Sequence, residues 1–118
     1  MGAVHRRRED GTWEGVEPRP YEAGRRHELI DGPSYRVRYF EVPPGERTVL
    51  ERHAHDHGVV IQRGGALVTL GDEQHELGPG DVVYVAPDEL HCFEALGDET
   101  LRFLCVAPGG SLKNDRPS

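Results

Sequence analysis

Apolar and polar residues alternate along most of the chain in short runs, with glycine or proline between them. Residues 34–42 (SYRVRYFEV) alternate with a period of two, which predicts a strand with Arg36, Arg38, Phe40 and Val42 on one face. No stretch keeps a helical period over three turns. Further strands are predicted at 47–53, 58–63, 66–70, 73–77, 81–85, 91–94 and 101–106, and a strand or turn at 24–31.

The 15 glycines and 9 prolines predict frequent reversals of the chain, with turns at 43–47, 64–65, 71–72, 78–80 and 97–98. Short strands separated by turn residues predict an all-β sandwich or barrel, and 118 residues suit one domain. The predicted boundaries are a flexible tail at 1–12, a single domain at 13–107 and a flexible tail at 108–118. The domain begins with an extended arm around Trp13 and Tyr21, expected to pack on its own barrel or on a partner subunit.

Composition narrows the classes of partner. The net charge of −7 argues against nucleic acid, which favours a basic face. No apolar run approaches the roughly 20 residues of a transmembrane helix, so no membrane partner is expected. The basic N-terminal stretch lacks the apolar run of a secretory signal, which predicts a cytoplasmic location. Cys92 and Cys105 form no CxxC pair, and Cys105 is predicted to be a buried thiol.

The histidines cluster in one stretch. His53, His55 and His57 stand at alternate positions, and Glu51 extends that alternation upstream. Alternate side chains of a strand share a face, so a carboxylate and up to three imidazoles would point the same way. Such groups suit a first-row transition metal such as Mn, Fe, Ni, Cu or Zn. His91, farther along the chain, is a fourth imidazole candidate.

The same stretch resembles the first motif of the cupin superfamily, which reads Gly-x5-His-x-His-x3–4-Glu-x6-Gly. The spacing is kept here by Gly45, Glu51, His53, His57 and Gly64. The residue types are permuted, because Glu51 stands where the family usually has its first histidine. His57 stands in the usual place of the glutamate, as it does in some small cupins.

A second motif of that superfamily, Gly-x5-Pro-x-Gly-x2-His-x3-Asn, is matched more loosely. Gly80 and His91 keep their places, whereas the proline comes one position late as Pro87 and the asparagine is replaced by Ala95. The resemblance covers roughly residues 34–107.

The resemblance implies a double-stranded β-helix (jelly-roll) barrel that holds one divalent transition metal ion (Fe, Mn, Ni, Cu or Zn). The metal ligands that it implies are Glu51, His53, His57 and His91. A second register remains open, in which His53 and His55 form the His-x-His pair and Glu51 is a nearby acid. The glycine spacing favours the first register.

Two classes of function follow from the resemblance. As an enzyme, the protein is expected to be a dioxygenase acting on a small enol or catechol-like molecule, with Glu51 as catalytic base; isomerase or lyase chemistry on a small oxo-acid is the alternative. As a non-enzyme, it would be a small-molecule-binding, sensory or metal-storage barrel. Arg38 is predicted either to anchor a substrate inside the barrel or to be exposed. A homodimer is the expected assembly.

Overall fold

The fold is known from a computed structural model that describes residues 1–110. Those residues form β-strands and no α-helix, which confirms the predicted all-β class. The strands are β1 (Arg19–Tyr21), β2 (Gly24–Asp31), β3 (Tyr35–Val42), β4 (His57–Arg63), β5 (Gly65–Leu70), β6 (Glu73–Leu77), β7 (Val82–Val85), β8 (His91–Leu96) and β9 (Leu101–Pro108). Nowhere in this part of the chain is there a helix long and apolar enough to cross a membrane.

The strands form two antiparallel sheets. One has six strands in the order β1-β2-β3-β9-β4-β7, and the other has three in the order β6-β5-β8. Strands adjacent in a sheet are often distant in the chain, because the chain passes repeatedly from one sheet to the other. This arrangement is the predicted jelly-roll barrel.

Apolar side chains from both sheets fill the barrel. The rings of Phe93 on β8 and Phe103 on β9 stack with centroids 4.8 Å apart, and Phe40 on β3 stacks on Phe103 at 5.1 Å. Ile61 and Leu101 are fully buried beside them. Burying side chains of this size contributes about 1.5–3 kcal/mol each to folding. The aromatic stack therefore forms the floor on which the candidate site is built.

The prediction of a strand at 47–53 is wrong. This segment pairs with β8 only through isolated bridges, from Arg47 to Glu94 and from Glu51 to His91. Between the two bridges, the hydroxyl oxygen of Thr48 accepts the N–H of Phe93 at 2.9 Å. In a regular ladder this N–H would donate to a backbone carbonyl. Here it donates to a side chain instead, so the ladder is interrupted.

The turn between β4 and β5 requires glycine. Gly64 has a φ of +77°, and a Cβ at this position would lie 2.7 Å from the carbonyl oxygen of Thr100. A side chain would therefore be strained by the backbone conformation and blocked by the neighbouring strand. The predicted turn at Gly64 and Gly65 is confirmed, and here the chain moves from the six-stranded to the three-stranded sheet.

The N-terminal arm packs on its own barrel, one of the two predicted arrangements. β1 pairs with β2 of the same chain. The centroid of the Trp13 ring lies 4.9 Å from that of Tyr39 and 5.3 Å from that of His27, and the guanidinium of Arg7 lies 4.3 Å from it. The flexibility predicted for residues 1–12 stays a prediction. Of the predicted tail at 108–118, Pro108 ends β9, and residues 111–118 lie outside the described part.

A buried ionic cluster lies beneath this arm, on the face of β3 opposite to Phe40. The carboxylate of Glu41 accepts hydrogen bonds from Arg25 and His27, each at 2.8 Å, and from Arg102. Burial, reinforced by the neighbouring arginines, lowers the pKa of His27. Because β3 separates this cluster from the candidate site, we infer that the cluster stabilises the fold.

Candidate metal centre

A cavity of about 290 Å³ contains the histidine cluster. Its lining combines imidazoles, one carboxylate, aromatic rings from the core and basic side chains. A pocket that joins an apolar floor to a few convergent polar groups is typical of small-molecule sites. The candidate site is therefore a chamber of the barrel rather than a surface cluster.

Three of the four ligands implied by the sequence come together at this cavity. Donor atoms of Glu51, His53 and His91 all lie within 4.8 Å of one another. Oε1 of Glu51 is 3.2 Å from Nε2 of His53, and their side chains are 28% and 13% exposed. The backbones of Glu51 and His91 are hydrogen-bonded to each other, which places both side chains at the same end of β8. This group can hold a metal ion.

The ring of His91 is oriented by the backbone. Its Nδ1 lies 2.8 Å from the carbonyl oxygen of Glu89. A carbonyl can only accept, so Nδ1 carries the proton and Nε2 keeps a free lone pair in the neutral ring. Metal-binding histidines characteristically donate their second nitrogen in this way.

His57 lies deeper in the barrel, at the start of β4. It is 7% exposed, and its ring centroid is 4.8 Å from that of His91 and 5.6 Å from that of His53. It is not among the three residues whose donor atoms lie within 4.8 Å of one another. Its Nδ1 is 3.7 Å from Sγ of Cys105, whereas Nε2 is buried without a hydrogen-bond partner among residues 1–110.

Burial favours the neutral form of the His57 and His53 rings. Burial, with smaller effects from His91 and His53, lowers the pKa of His57 to about 3. Burial also lowers the pKa of His53, although the carboxylate of Glu51 opposes that shift. Neutral imidazole is the form that coordinates a metal. His53 and His57 therefore need not release a proton to bind a metal ion at neutral pH.

His55 is placed differently. Its ring stacks on that of His53 with centroids 5.1 Å apart and an interplanar angle of 4°. Its Nδ1 donates to the carbonyl oxygen of Asp56 at 3.2 Å. It is outside the group formed by Glu51, His53 and His91. His57 is outside that group as well, so the choice between the two registers stays a prediction.

The donors fit a divalent transition metal. Imidazole nitrogens and one carboxylate are the ligands that such metals prefer. With the ring proton on Nδ1, which faces Sγ of Cys105, the buried Nε2 of His57 is a lone pair without a partner among residues 1–110. That arrangement is costly, and a bound cation would relieve it. The first-row ions Fe, Mn, Ni, Cu and Zn all suit this donor set.

Sequence reasoning missed part of the cavity wall. Arg38 lines the cavity, which is the first of its two predicted placements, and Arg36 lies beside it. Arg26 on β2 also lines the cavity, and no sequence pattern pointed to it. The alternation of β3 was the available signal for Arg36, whereas the position of Arg26 depends on the pairing of β2 with β3.

Comparisons with known proteins agree with this architecture. A family model described as "Cupin domain" matches residues 38–107. A 1-methylthio-D-xylulose 5-phosphate methylsulfurylase from Rhodospirillum rubrum is 40% identical over 81 residues, which cover 69% of this chain and 50% of that protein. The chain therefore spans about half the length of this curated relative.

Solved structures extend the similarity over nearly the whole chain. A cupin 2 conserved barrel domain protein from Rhodopseudomonas palustris has a TM-score of 0.84 and 33% identity, covering 98% of this chain and 85% of that one. The polyketide cyclase RemF from Streptomyces resistomycificus has a TM-score of 0.74 and 28% identity, covering 92% of this chain and 79% of that one.

Proposed function

The chain belongs to the cupin family, and from this premise we propose that it is an enzyme that depends on one divalent transition metal ion. The proposed ligands are Glu51, His53, His57 and His91. The observation that carries the proposal is the buried, unpartnered Nε2 of His57, next to three donors that already lie within 4.8 Å of one another. When bound, such a metal supplies Lewis acidity and, if it is redox-active, access to O2.

Glu51 is the proposed base. Its carboxylate is partly exposed at the cavity, and Oε1 stays within reach of His53. A substrate hydroxyl seated in the cavity would pass its proton to Glu51, which makes the substrate more electron-rich. The aromatic floor of Phe93 and Phe103 excludes water from one side of that substrate.

The first candidate reaction is dioxygenation of a small enol or catechol-like molecule. Three imidazoles with one carboxylate form a nitrogen-rich donor set that suits redox-active Fe, Mn, Ni or Cu. Both atoms of O2 would enter the product, and the substrate itself would supply the four electrons, so no other reductant is needed.

The second candidate is isomerase or lyase chemistry on a small oxo-acid. The names of two similar proteins, a methylsulfurylase and a polyketide cyclase, do not denote oxygenases, which favours this reading. Here Glu51 would remove a proton next to a carbonyl and return it elsewhere, or an adjacent group would leave. The two candidates share the base and differ in whether O2 is consumed.

Metal content tests the premise. Untagged protein purified without chelator is expected to carry about one metal ion per chain, and His53→Ala to carry almost none. His75→Ala is the matched control, because His75 is exposed on β6. Wild-type protein that binds no metal even on titration contradicts the proposal and favours the non-catalytic barrel that binds small molecules.

Oxygen uptake then separates the two reactions. Metal-loaded protein is screened against enols, catechols and small oxo-acids, in air and without O2. Turnover that consumes O2 supports the dioxygenase, and turnover that is unchanged without O2 supports the isomerase or lyase. Glu51→Gln is expected to lower turnover by roughly 10²-fold or more. Full activity of a Glu51→Gln protein that retains its metal would remove Glu51 from the mechanism.

A homodimer is part of the proposal. β7 is an edge strand of the six-stranded sheet, and its Val82 and Tyr84 are 70% and 61% exposed. An exposed edge with apolar side chains invites pairing with a second chain. Light scattering after size exclusion should give twice the mass of the chain. Deletion of residues 1–22, whose arm packs on its own barrel, should lower stability and leave the dimer intact. A monomeric wild type would exclude the dimer.

A further inference from the structure

Three arginines line the same cavity as the histidine cluster: Arg26, Arg36 and Arg38, here called the arginine wall. The register of β2 and β3 explains their meeting. Arg36, Arg38 and Phe40 alternate along β3, so they share one face, and Arg26 on β2 lies opposite Phe40. The residues of the arginine wall therefore lie on two neighbouring strands and not on a loop.

The guanidinium groups of the wall lack carboxylate partners. None of the ion pairs formed by residues 1–110 includes any of the three. The Nε atoms of Arg26 and Arg38 are buried without a hydrogen-bond partner in that part of the chain. Arg36 donates Nε to the carbonyl oxygen of Pro108 at 3.1 Å, and Arg38 approaches Sγ of Cys105 at 3.7 Å. A thiol sulfur is only a weak acceptor.

Two acids of β2 accompany the wall but do not neutralise it: Glu28, and Asp31, which lies opposite Arg36. Glu28 lies opposite Arg38 in the β2–β3 pairing, and its Oε2 is buried without a partner among the described residues. Burial and the neighbouring Arg38 lower the pKa of Arg36, and Glu28 and Asp31 only partly oppose that effect. Three arginines beside these two carboxylates leave this side of the cavity with a net positive charge.

Aromatic contacts do not replace the missing acceptors. The guanidinium of Arg38 lies 5.1 Å from the ring centroid of Phe40, and that of Arg26 lies 6.0 Å from the ring centroid of Tyr21. Such contacts offset part of the cost of burying a cation, but a ring face does not saturate the five N–H donors of a guanidinium. Buried donors without acceptors are costly, so a ligand that supplies several oxygens fits here.

We propose that the arginine wall binds the oxyanion group, a phosphate or a carboxylate, of a small organic molecule. The planar guanidinium fork matches both groups with paired hydrogen bonds. A cavity of about 290 Å³ suits a small molecule, whose remaining atoms would lie toward Glu51 and His91. That the bound molecule is the substrate rests on the proposed function, whereas the binding of the oxyanion does not.

Titration of metal-free protein tests the wall. Inorganic phosphate and succinate are added separately at low ionic strength, and the heat of binding is measured. At least one of them should bind in the millimolar range or tighter, and Arg36→Gln and Arg38→Gln should each weaken that binding about tenfold. Arg63→Gln is the matched control, because Arg63 is 67% exposed and pairs with Glu99 outside the cavity.

The outcomes separate the two proposals. Absence of binding by both anions at tens of millimolar overturns the oxyanion site, as does an equal loss of affinity in Arg63→Gln and Arg38→Gln. Because wild-type protein is titrated without metal, a failure of metal binding leaves the result intact. Conversely, protein that loads with metal but ignores both anions retains the proposed function and loses only the wall. Preference for phosphate or for succinate identifies the oxyanion class.

Discussion

Glu51 and His91 are held together by two backbone hydrogen bonds. The N–H of Glu51 donates to the carbonyl oxygen of His91 at 3.1 Å, and the N–H of His91 donates to that of Glu51 at 2.9 Å. This bridge attaches an irregular segment to the first residue of β8, so the carboxylate and the imidazole reach the cavity on a rigid frame. A preorganised site of this kind binds a metal without first ordering its ligands.

Removal of the His91 ring should therefore weaken metal binding without unfolding the barrel. His91→Ala keeps the backbone bridge but loses the Nε2 lone pair, and we expect affinity to fall by roughly 100-fold or more. Competition with a chromophoric chelator measures the affinity, and circular dichroism checks the fold. His75→Ala should bind as wild type does. Unchanged affinity in His91→Ala would show that His91 is not a ligand.

The stability of the metal-free protein should depend on His57. Its pKa is about 3 in the folded protein against an ordinary 6.5, so below pH 6.5 the unfolded chain takes up a proton that the folded chain refuses. The free energy of unfolding therefore falls as pH falls from 6.5 toward 3, and this contribution is complete above 6.5.

The substitution His57→Gln isolates that effect. It should reduce the slope of stability against pH by about one proton, or ~1.4 kcal/mol per pH unit, whatever its effect on absolute stability. Urea unfolding between pH 4 and pH 7 supplies the slope. His27 and His53 retain their own lowered pKa values, so a slope of the same sign remains. An identical slope in the variant and wild type would contradict the assignment.

Both cysteines should be unreactive in the native protein. Cys92 and Cys105 are buried, and burial raises the pKa of the Cys105 thiol although Arg38 opposes it. A buried thiol with little thiolate reacts slowly with disulfide reagents. Ellman's reagent should find no thiol in native protein and both in urea, and Cys105→Ala should show one in urea. A fast-reacting native thiol would show that the barrel opens readily near His57.

The cluster around Glu41 should matter for stability more than exposed ion pairs do. Glu41→Gln removes the charge that Arg25, His27 and Arg102 share, and we expect a loss of about 3 kcal/mol in the free energy of unfolding. Glu99→Gln, whose partner Arg63 is exposed, should cost less than about 1 kcal/mol. Equal losses in denaturant unfolding would mean that the buried charge is dispensable.

The local pattern of the chain was sufficient for most of the fold. Period-two alternation predicted a strand at 34–42, which is β3 (Tyr35–Val42), and positive-φ glycines such as Gly64 and Gly71 lie at predicted turns. The pattern failed at 47–53, where alternation looked regular, because a side chain of that segment, Thr48, takes the Phe93 N–H. Whether a side-chain oxygen or a backbone oxygen accepts this N–H depends on the neighbouring strand. The periodicity of the sequence therefore does not reveal it.

The candidate site, too, could be predicted from the sequence only in part. The resemblance to the two cupin motifs selected Glu51, His53, His57 and His91, because these residues keep the positions of the motifs along the chain. Only the pairing of distant strands brings His57 against Cys105, leaves its Nε2 without a partner, and places Arg26 with Arg38 across β2 and β3. These relationships depend on register and burial, which join residues far apart in sequence, so they arise only when the barrel closes.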